Sequence, residues 1–144
     1  MPVDNASATV VVAAPFDDVL AAVRDVASQV DWVKEITAAE LLEEYEDGTP
    51  ATASFEMTTN LGADAYSLEY AHAHDSMRWT MVQGTMQKAQ NGAYLLRDLG
   101  DGQTEVTLEL EVDHSISAPG FLRKMIFKGV VDGNLASLKA YVER

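Results

Sequence analysis

The middle of the chain alternates. Ala51, Ala53, Phe55 and Met57 share one parity, and Thr52, Ser54, Glu56 and Thr58 take the other. Tyr66, Leu68 and Tyr70 alternate with Ser67 and Glu69, and Met77, Trp79 and Met81 with Arg78 and Thr80. Val106, Leu108, Leu110 and Val112 alternate with Glu105, Thr107, Glu109 and Glu111. A period of two predicts strands with one dry and one wet face. Glu40 to Tyr45 and Tyr94 to Leu99 predict two more strands, and the run Ala8-Thr9-Val10-Val11-Val12 predicts an opening strand that stops at Ala14-Pro15. Turn chemistry separates them: Asp47-Gly48-Thr49-Pro50, Leu61-Gly62-Ala63-Asp64, His74-Asp75-Ser76 and Gly100-Asp101-Gly102. Connections this short favour antiparallel neighbours in a meander.

Both flanks switch to the helical period. Pro15 suits a first helical turn, Asp17 and Asp18 complement the helix dipole, and Phe16, Val19, Leu20 and Val23 make one face. A second short helical piece is expected over Ser28 to Val33, with Trp32 in it. After the breakers Ser117-Ala118-Pro119-Gly120 no proline follows, which predicts one long terminal helix. At about 100° per residue, Phe127, Val131, Leu135, Leu138 and Val142 form a large-residue stripe to lie on the sheet. Gly129, Gly133, Ala136 and Ala140 form a small-residue side, read as room for a close neighbour. Lys124, Lys128, Asp132 and Lys139 exclude a membrane-spanning reading of that glycine pair. The expected architecture is α+β: a curved seven-stranded antiparallel sheet wrapped around the C-terminal helix, with two short helices after the first strand.

Composition narrows the function classes. The chain has 144 residues, 47% of them hydrophobic. That is one domain's worth, and no repeat or linker divides residues 1–144. Ten basic against 23 acidic residues give a net charge of -13. A field of that sign repels phosphate, so nucleic acid and polybasic membrane docking are not expected. There is no cysteine, hence no disulfide frame and no thiol chemistry. No Gly-x-Gly-x-x-Gly, His-Glu-x-x-His or Ser-His-Asp order is present, so no cofactor is expected. Met1-Pro2-Val3-Asp4-Asn5 does not read as a secretory signal, and no apolar run reaches membrane-spanning length. A cytoplasmic protein is the expectation.

The segments Val10-Val11-Val12-Ala13-Ala14-Pro15-Phe16-Asp17-Asp18-Val19 and Asp31-Trp32-Val33-Lys34-Glu35-Ile36, the strand approach Gly102-Gln103-Thr104-Glu105-Val106-Thr107-Leu108-Glu109-Leu110 and the ending Leu135-Ala136-Ser137-Leu138-Lys139-Ala140-Tyr141-Val142-Glu143-Arg144 resemble the START/Bet v 1-like (SRPBCC) superfamily. More narrowly, the chain resembles its bacterial polyketide cyclase/dehydrase and lipid transport group. The resemblance covers nearly the whole chain in element order. It implies the helix-grip fold and a hydrophobic cavity between sheet and terminal helix. It also implies a lipid, polyketide or other flat apolar ligand, which the chain binds or transports. The alternative it implies is a polyketide aromatase/cyclase or dehydratase. Fold alone does not choose between them.

On this reading the ligand-binding candidates are Trp32, Phe55, Met57, Tyr66, Leu68, Tyr70, Trp79, Met81, Tyr94, Leu96, Phe121, Met125, Phe127 and Val131. Most are aromatic or methionine, which suits a slot for a flat guest and equally suits plain core. Tyr66, Tyr70 and Tyr94 bring hydroxyls to an apolar face, where each needs a partner. They are satisfied core residues, ligand contacts or, in a cyclase, groups that orient or protonate a ketone. His114, closing the last strand, is the fourth acid/base candidate, against a bland reading as a loop-end residue. His72 and His74 share a face next to Asp75, but read as a hairpin-end pair in solvent rather than metal ligands. Arg78 and Arg97 point outward by parity, Arg123 and Lys124 read as a solvated helix start, and Glu105, Glu109 and Glu111 form an outward acidic row. The expected partner is a small hydrophobic molecule, with the chain a monomer or homodimer. An acidic protein-interaction module is the third reading.

Overall fold

The computed structural model describes residues 3–59 and 62–144. Strand β1 (Val3–Val12) leads to helix α1 (Phe16–Arg24), a single 3-10 turn over Val26–Ser28 and the short helix α2 (Gln29–Trp32). Six strands follow: β2 (Ile36–Glu44), β3 (Pro50–Thr59), β4 (Gly62–Ala73), β5 (Ser76–Gly84), β6 (Ala89–Gly100) and β7 (Gln103–Asp113). Helix α3 (Gly120–Glu143) ends the chain. The strands form one antiparallel sheet in the order β1-β7-β6-β5-β4-β3-β2. The long step from β1 to β2, carried by α1 and α2, crosses the whole sheet. This is the helix-grip arrangement that the alternation and the resemblance predict.

The alternation explains the sides. Ala53, Phe55, Tyr66, Leu68, Tyr70, Met77, Tyr94, Leu96, Val106 and Leu108 are buried on the inner face. Both helices that carry the core open on a proline. The Pro15 carbonyl accepts from the N–H groups of Asp18 and Val19, and the Pro119 carbonyl from those of Leu122 and Arg123. Neither proline has an N–H to leave unsatisfied. Helix α1 buries Val19 and Val23, and its Arg24 Nη2 donates to the Ala73 carbonyl at 2.7 Å, closing that end of the sheet over the β4–β5 turn. The β6–β7 turn at the same end needs Gly100 (φ 79), Asp101 (φ 54) and Gly102 (φ 73), a left-handed run that glycine makes cheap.

Helix α3 runs alongside β1 and follows its direction. Lys128 Nζ donates to the Ser7 carbonyl at 3.3 Å and Lys139 Nζ to that of Val11 at 2.9 Å. Glu143 accepts from the Ala13 N–H at 2.7 Å. Phe127, Val131, Leu135 and Leu138 are buried beneath it, as the large-residue stripe predicts. The backbone of α3 lies against β1 above all, with smaller contacts to β7, α1 and α2.

Several boundaries differ from the sequence expectation. β1 starts at Val3 because its whole length pairs with β7, down to Val3 opposite Asp113. Gly62, Ala63 and Asp64, expected in a turn, already pair with β3 as the start of β4. Leu61 of that expected turn lies outside the described residues, as do Met1 and Pro2. Among the described residues the small-residue side of α3 meets no neighbour: a Cβ added at Gly129 or Gly133 would find nothing within 4 Å. Small residues permit close approach, but here the face looks into solvent.

This last correction yields a stability prediction. Gly129→Ala and Gly133→Ala should each stabilise the protein by about 0.5–1 kcal/mol, since both sit in open helix interior. Thermal melts should rise by about 2–4 °C per kcal/mol. A lowered melting temperature would mean that something does pack on that face.

Candidate functional site

The sheet has a closed end and an open one. At the open end lie the start of β1, the end of β3 and start of β4, the β5–β6 connection, and the passage from β7 into α3. Apolar side chains remain uncovered there. Phe121 is 71% exposed and Met125 66%, with Leu122 and Met86 also open to solvent. Inside, Met57, Trp79, Met81 and Leu110 are only half-buried, although all four pack against the core. The deeper inner face is filled by rings. Trp32 meets Tyr94 edge-on at 6.4 Å, Trp79 lies 5.5 Å from Tyr94, and Phe55 stacks on Tyr66 at 5.4 Å.

Trp79 is held by a relay of hydrogen bonds across three strands. Its Nε1 donates to Gln90 Oε1 at 2.9 Å, Gln90 Nε2 to Gln87 Oε1 at 2.7 Å, and Gln87 Nε2 to Asp64 Oδ2 at 2.8 Å. Asp64 Oδ1 accepts from Thr85 Oγ1 at 2.6 Å and from the backbone N–H groups of Thr85 and Met86. One carboxylate thus fixes the β5–β6 connection and, through two amides, the indole. The indole lies flat over Gly92, where a Cβ would stand 2.2 Å from the ring. Glycine at this spot is a steric requirement of the ring's position.

Three phenols lie around Trp79. Tyr66, Tyr70 and Tyr94 are all buried; Tyr66 acts electrostatically on the other two, and Tyr94 on Tyr70. Tyr70 is 2% exposed and its hydroxyl has no hydrogen-bond partner among the described residues. Burial, above all, pushes all three phenols well above their ordinary range, so they stay protonated at any physiological pH. They are hydrogen-bond donors, not bases.

His114 stands elsewhere. It is 3% exposed, and its Nε2 donates to Asp4 Oδ2 at 2.6 Å while Nδ1 accepts from the Ile116 N–H at 3.0 Å. Arg123 Nε donates to the same Asp4 oxygen at 2.8 Å, and Arg123 Nη1 to the Ala118 carbonyl at 2.5 Å. The cluster locks the root of α3 to the start of β1. Arg123 is therefore not on a solvated helix face, because Asp4 draws it inward. Both nitrogens of His114 are engaged, and its ring packs 5.1 Å from Phe127 rather than beside the tyrosines.

The remaining candidates fall into place around these. Leu68 and Leu96 are buried core, and Phe127 and Val131 are buried where α3 meets β1. Phe121 and Met125 point to solvent at the open end, because the first turns of α3 stand clear of the sheet's middle strands. His72 and His74 separate. His74 is in solvent, whereas His72 is half-buried, with Nε2 2.7 Å from the Pro50 carbonyl and its ring stacked on Tyr70. Among the described residues no acidic and imidazole groups gather as a metal site. Asp4, Asp64, Gln87 and Gln90 were not among the sequence candidates. The parity of Asp4 with Ala6 and Ala8, and of Asp64 with Tyr66, was the available signal.

Depressions of about 580 Å3, beside Asp18, Ala22, Tyr141, Val142 and Arg144, and of about 410 Å3, around Arg78, Asn91, Ala93 and Glu109, lie away from the tyrosines. Neither is lined by Tyr66, Tyr70 or Tyr94, which pack into the core between sheet and helix.

A family described as polyketide cyclase/dehydrase and lipid transport matches residues 12–139. No curated protein matches the chain by sequence. Among solved structures, a START superfamily protein from Mycobacterium smegmatis is similar, with a TM-score of 0.88 at 21% identity over 96% of this chain and 97% of that one. The Zhui aromatase/cyclase from Streptomyces sp. R1128 gives a TM-score of 0.80 at 16% identity, over 99% and 95%. A STAR-related lipid transfer protein from Xanthomonas axonopodis gives 0.75 at 18%, over 97% and 86%. At these identities the likeness establishes the fold.

The carboxylates at the open end predict an acid limit. Burial works to raise Asp64, but bonds from Thr85, Gln87 and the Met86 N–H hold it below the usual range; His114 and Arg123 do the same for buried Asp4. A group with a depressed folded pKa stabilises fully above its unfolded value, about 4, and loses that contribution as pH falls toward the folded value. Urea midpoints should hold between pH 7 and 5 and drop from pH 4 to 3. Asp64→Asn should be less stable at pH 6 and show a smaller drop from 4 to 3. An undiminished drop in that variant would remove Asp64 from the account.

Proposed function

This chain belongs to the polyketide cyclase/dehydrase and lipid transport family, and on that premise we propose that it binds and carries a small hydrophobic molecule between the inner face of β3–β6 and helix α3. One observation carries the reading: an inner face rich in aromatic and methionine side chains that stays half-covered at one end, beside three buried phenols of which Tyr70 has no partner. An apolar recess with a few convergent polar groups is the usual form of a small-molecule site. Met57 and Met81 are flexible and adapt to a guest's outline. Because the tyrosines pack into the core between sheet and helix, a guest gains its room by displacing these two methionines and by shifting the exposed first turns of α3.

The fold is shared with an aromatase/cyclase as well as with a lipid transfer protein. For this chain the geometry favours binding. A general acid–base step needs a titrating group within about 3 Å of the moving proton. The tyrosines are held protonated, and His114 has both nitrogens engaged by Asp4 and Ile116.

A neutral dye tests the reading. Nile red should bind saturably at one site, with a blue shift in its emission and quenching of tryptophan fluorescence. Met81→Glu should weaken it by at least about tenfold, the effect of burying a charge on an apolar wall, while circular dichroism and a cooperative melt show the fold kept. Absence of saturable binding, or unchanged binding in that variant, would retire the site.

A further inference from the structure

The chain has no cysteine, so all of its sulfur is in methionine. Those methionines are not spread evenly. Met1 lies outside the described residues. Met57 lies near the end of β3, Met81 late in β5, Met86 in the β5–β6 connection and Met125 in the second turn of α3, all toward the open end. Met77, second in β5, is the exception: it sits toward the closed end and is fully buried. Exposure grades the other four. Met125 and Met86 are open to solvent, whereas Met57 and Met81 are half-buried against the core. Glycines seat two of these side chains. A Cβ at Gly84 would stand 2.8 Å from Met81 Sδ, and one at Gly62 would stand 3.7 Å from Met86 Cε. Met86 thus reaches from the β5–β6 connection back to the start of β4. With Phe121 and Leu122 exposed beside Met125 on α3, the lip of the open end is apolar and carries its sulfur outermost.

Oxidation reaches exposed thioethers first, and it turns a flexible apolar side chain into a polar one. A hydroperoxide supplies the oxygen. Its O–O bond breaks, one oxygen joins the thioether sulfur as a sulfoxide, and the other leaves as water or an alcohol. Sulfur loses two electrons and the peroxide gains them. No thiol in the chain competes for the oxidant. A sulfoxide oxygen holds water at the lip, where an apolar guest gives it no partner in exchange.

We propose that Met86 and Met125 are an oxidation site for hydroperoxides at the mouth of the ligand site, and that their conversion to sulfoxides weakens the hold on an apolar guest. The proposal rests on the ligand-binding reading above and adds the regulation of that site. Methionine sulfoxide can be reduced again, so the change is reversible.

Hydrogen peroxide is the probe. Peptide mass mapping of the treated protein should show Met125 and Met86 converted first, Met57 and Met81 later and Met77 last. Once Met86 and Met125 are converted and Met77 is intact, Nile red should bind about tenfold more weakly, the effect of an unpartnered polar group on an apolar path. Circular dichroism and a cooperative melt should show the fold kept. Methionine sulfoxide reductases added to the same sample should restore binding. The double variant Met86→Leu, Met125→Leu, compared with its own untreated form, should lose less than about twofold over the same exposure. Full binding after both residues are converted would overturn the proposal. An equal loss in the double variant would do the same, as would conversion of Met86 and Met125 no faster than that of Met77. All three results leave binding by the untreated protein intact. Failure of the untreated protein to bind Nile red would instead overturn the ligand-binding reading and the proposal together.

Discussion

One helix is too narrow for this sheet. Seven strands at about 4.8 Å spacing span about 29 Å, whereas a helix with its side chains is about 10–12 Å across. The structure meets the mismatch in three ways. It curls the sheet, sets α3 over β1 and β7, and closes one end with α1 and α2. What is left is the part of the inner face of β3–β6 beyond the reach of α1, which meets β5 and β6, and of α2, whose Trp32 meets Tyr94. The chain fills it with large side chains: Trp32 and Trp79 meet Tyr94, Phe55 stacks on Tyr66, and Tyr70 stacks on His72. Toward the open end even large side chains run out, and the cover thins to half-buried methionine and indole.

An uncovered end has to be held in shape without being plugged. Polar groups on the inward parity do that. Asp64 gathers the β5–β6 connection and, through Gln87 and Gln90, the indole of Trp79; Asp4 gathers His114 and Arg123. Such groups are expensive inside a protein unless bonded, and these are bonded at nearly every atom. Among the described residues Arg24 Nε, His72 Nδ1, Tyr70 Oη and Asp113 Oδ1 are buried and unpaired. Arg24 and His72 bond through another nitrogen of the same group, whereas Tyr70 has no second polar atom.

Much of this was legible in the residues. Period two fixed which face each strand buries, and the switch to 3.6 at Gly120 fixed the helix and its buried stripe. The tyrosines were visible as inward-facing hydroxyls. Missed were the groups whose role depends on which strands are neighbours. Asp4 has the inward parity of Ala6, Ala8 and Val10, and His114 continues that of Leu110 and Val112, but only the pairing of β1 with β7 brings them together. Position at the start of α3 misled about Arg123, since a place on the helix says nothing of a partner on β1 2.8 Å away. Small residues misled on α3: Gly129 and Gly133 allow a neighbour without implying one.

Charge is distributed so that the interior can be selective with few tools. The acids that make the chain strongly anionic sit mainly on the outer face and the turns, as Glu43, Glu44, Glu46, Glu109 and Glu111 do. Among the described residues β3–β6 turn no Lys or Arg inward, and burial raises the phenols well above their ordinary range. In such a space attraction between ions has little part, and apolar area and ring shape dominate the packing. A missing or mismatched partner for a buried donor costs more than the bond itself is worth in water. Tyr70 carries that cost toward the closed end of β4, where its hydroxyl stays unpaired among the described residues.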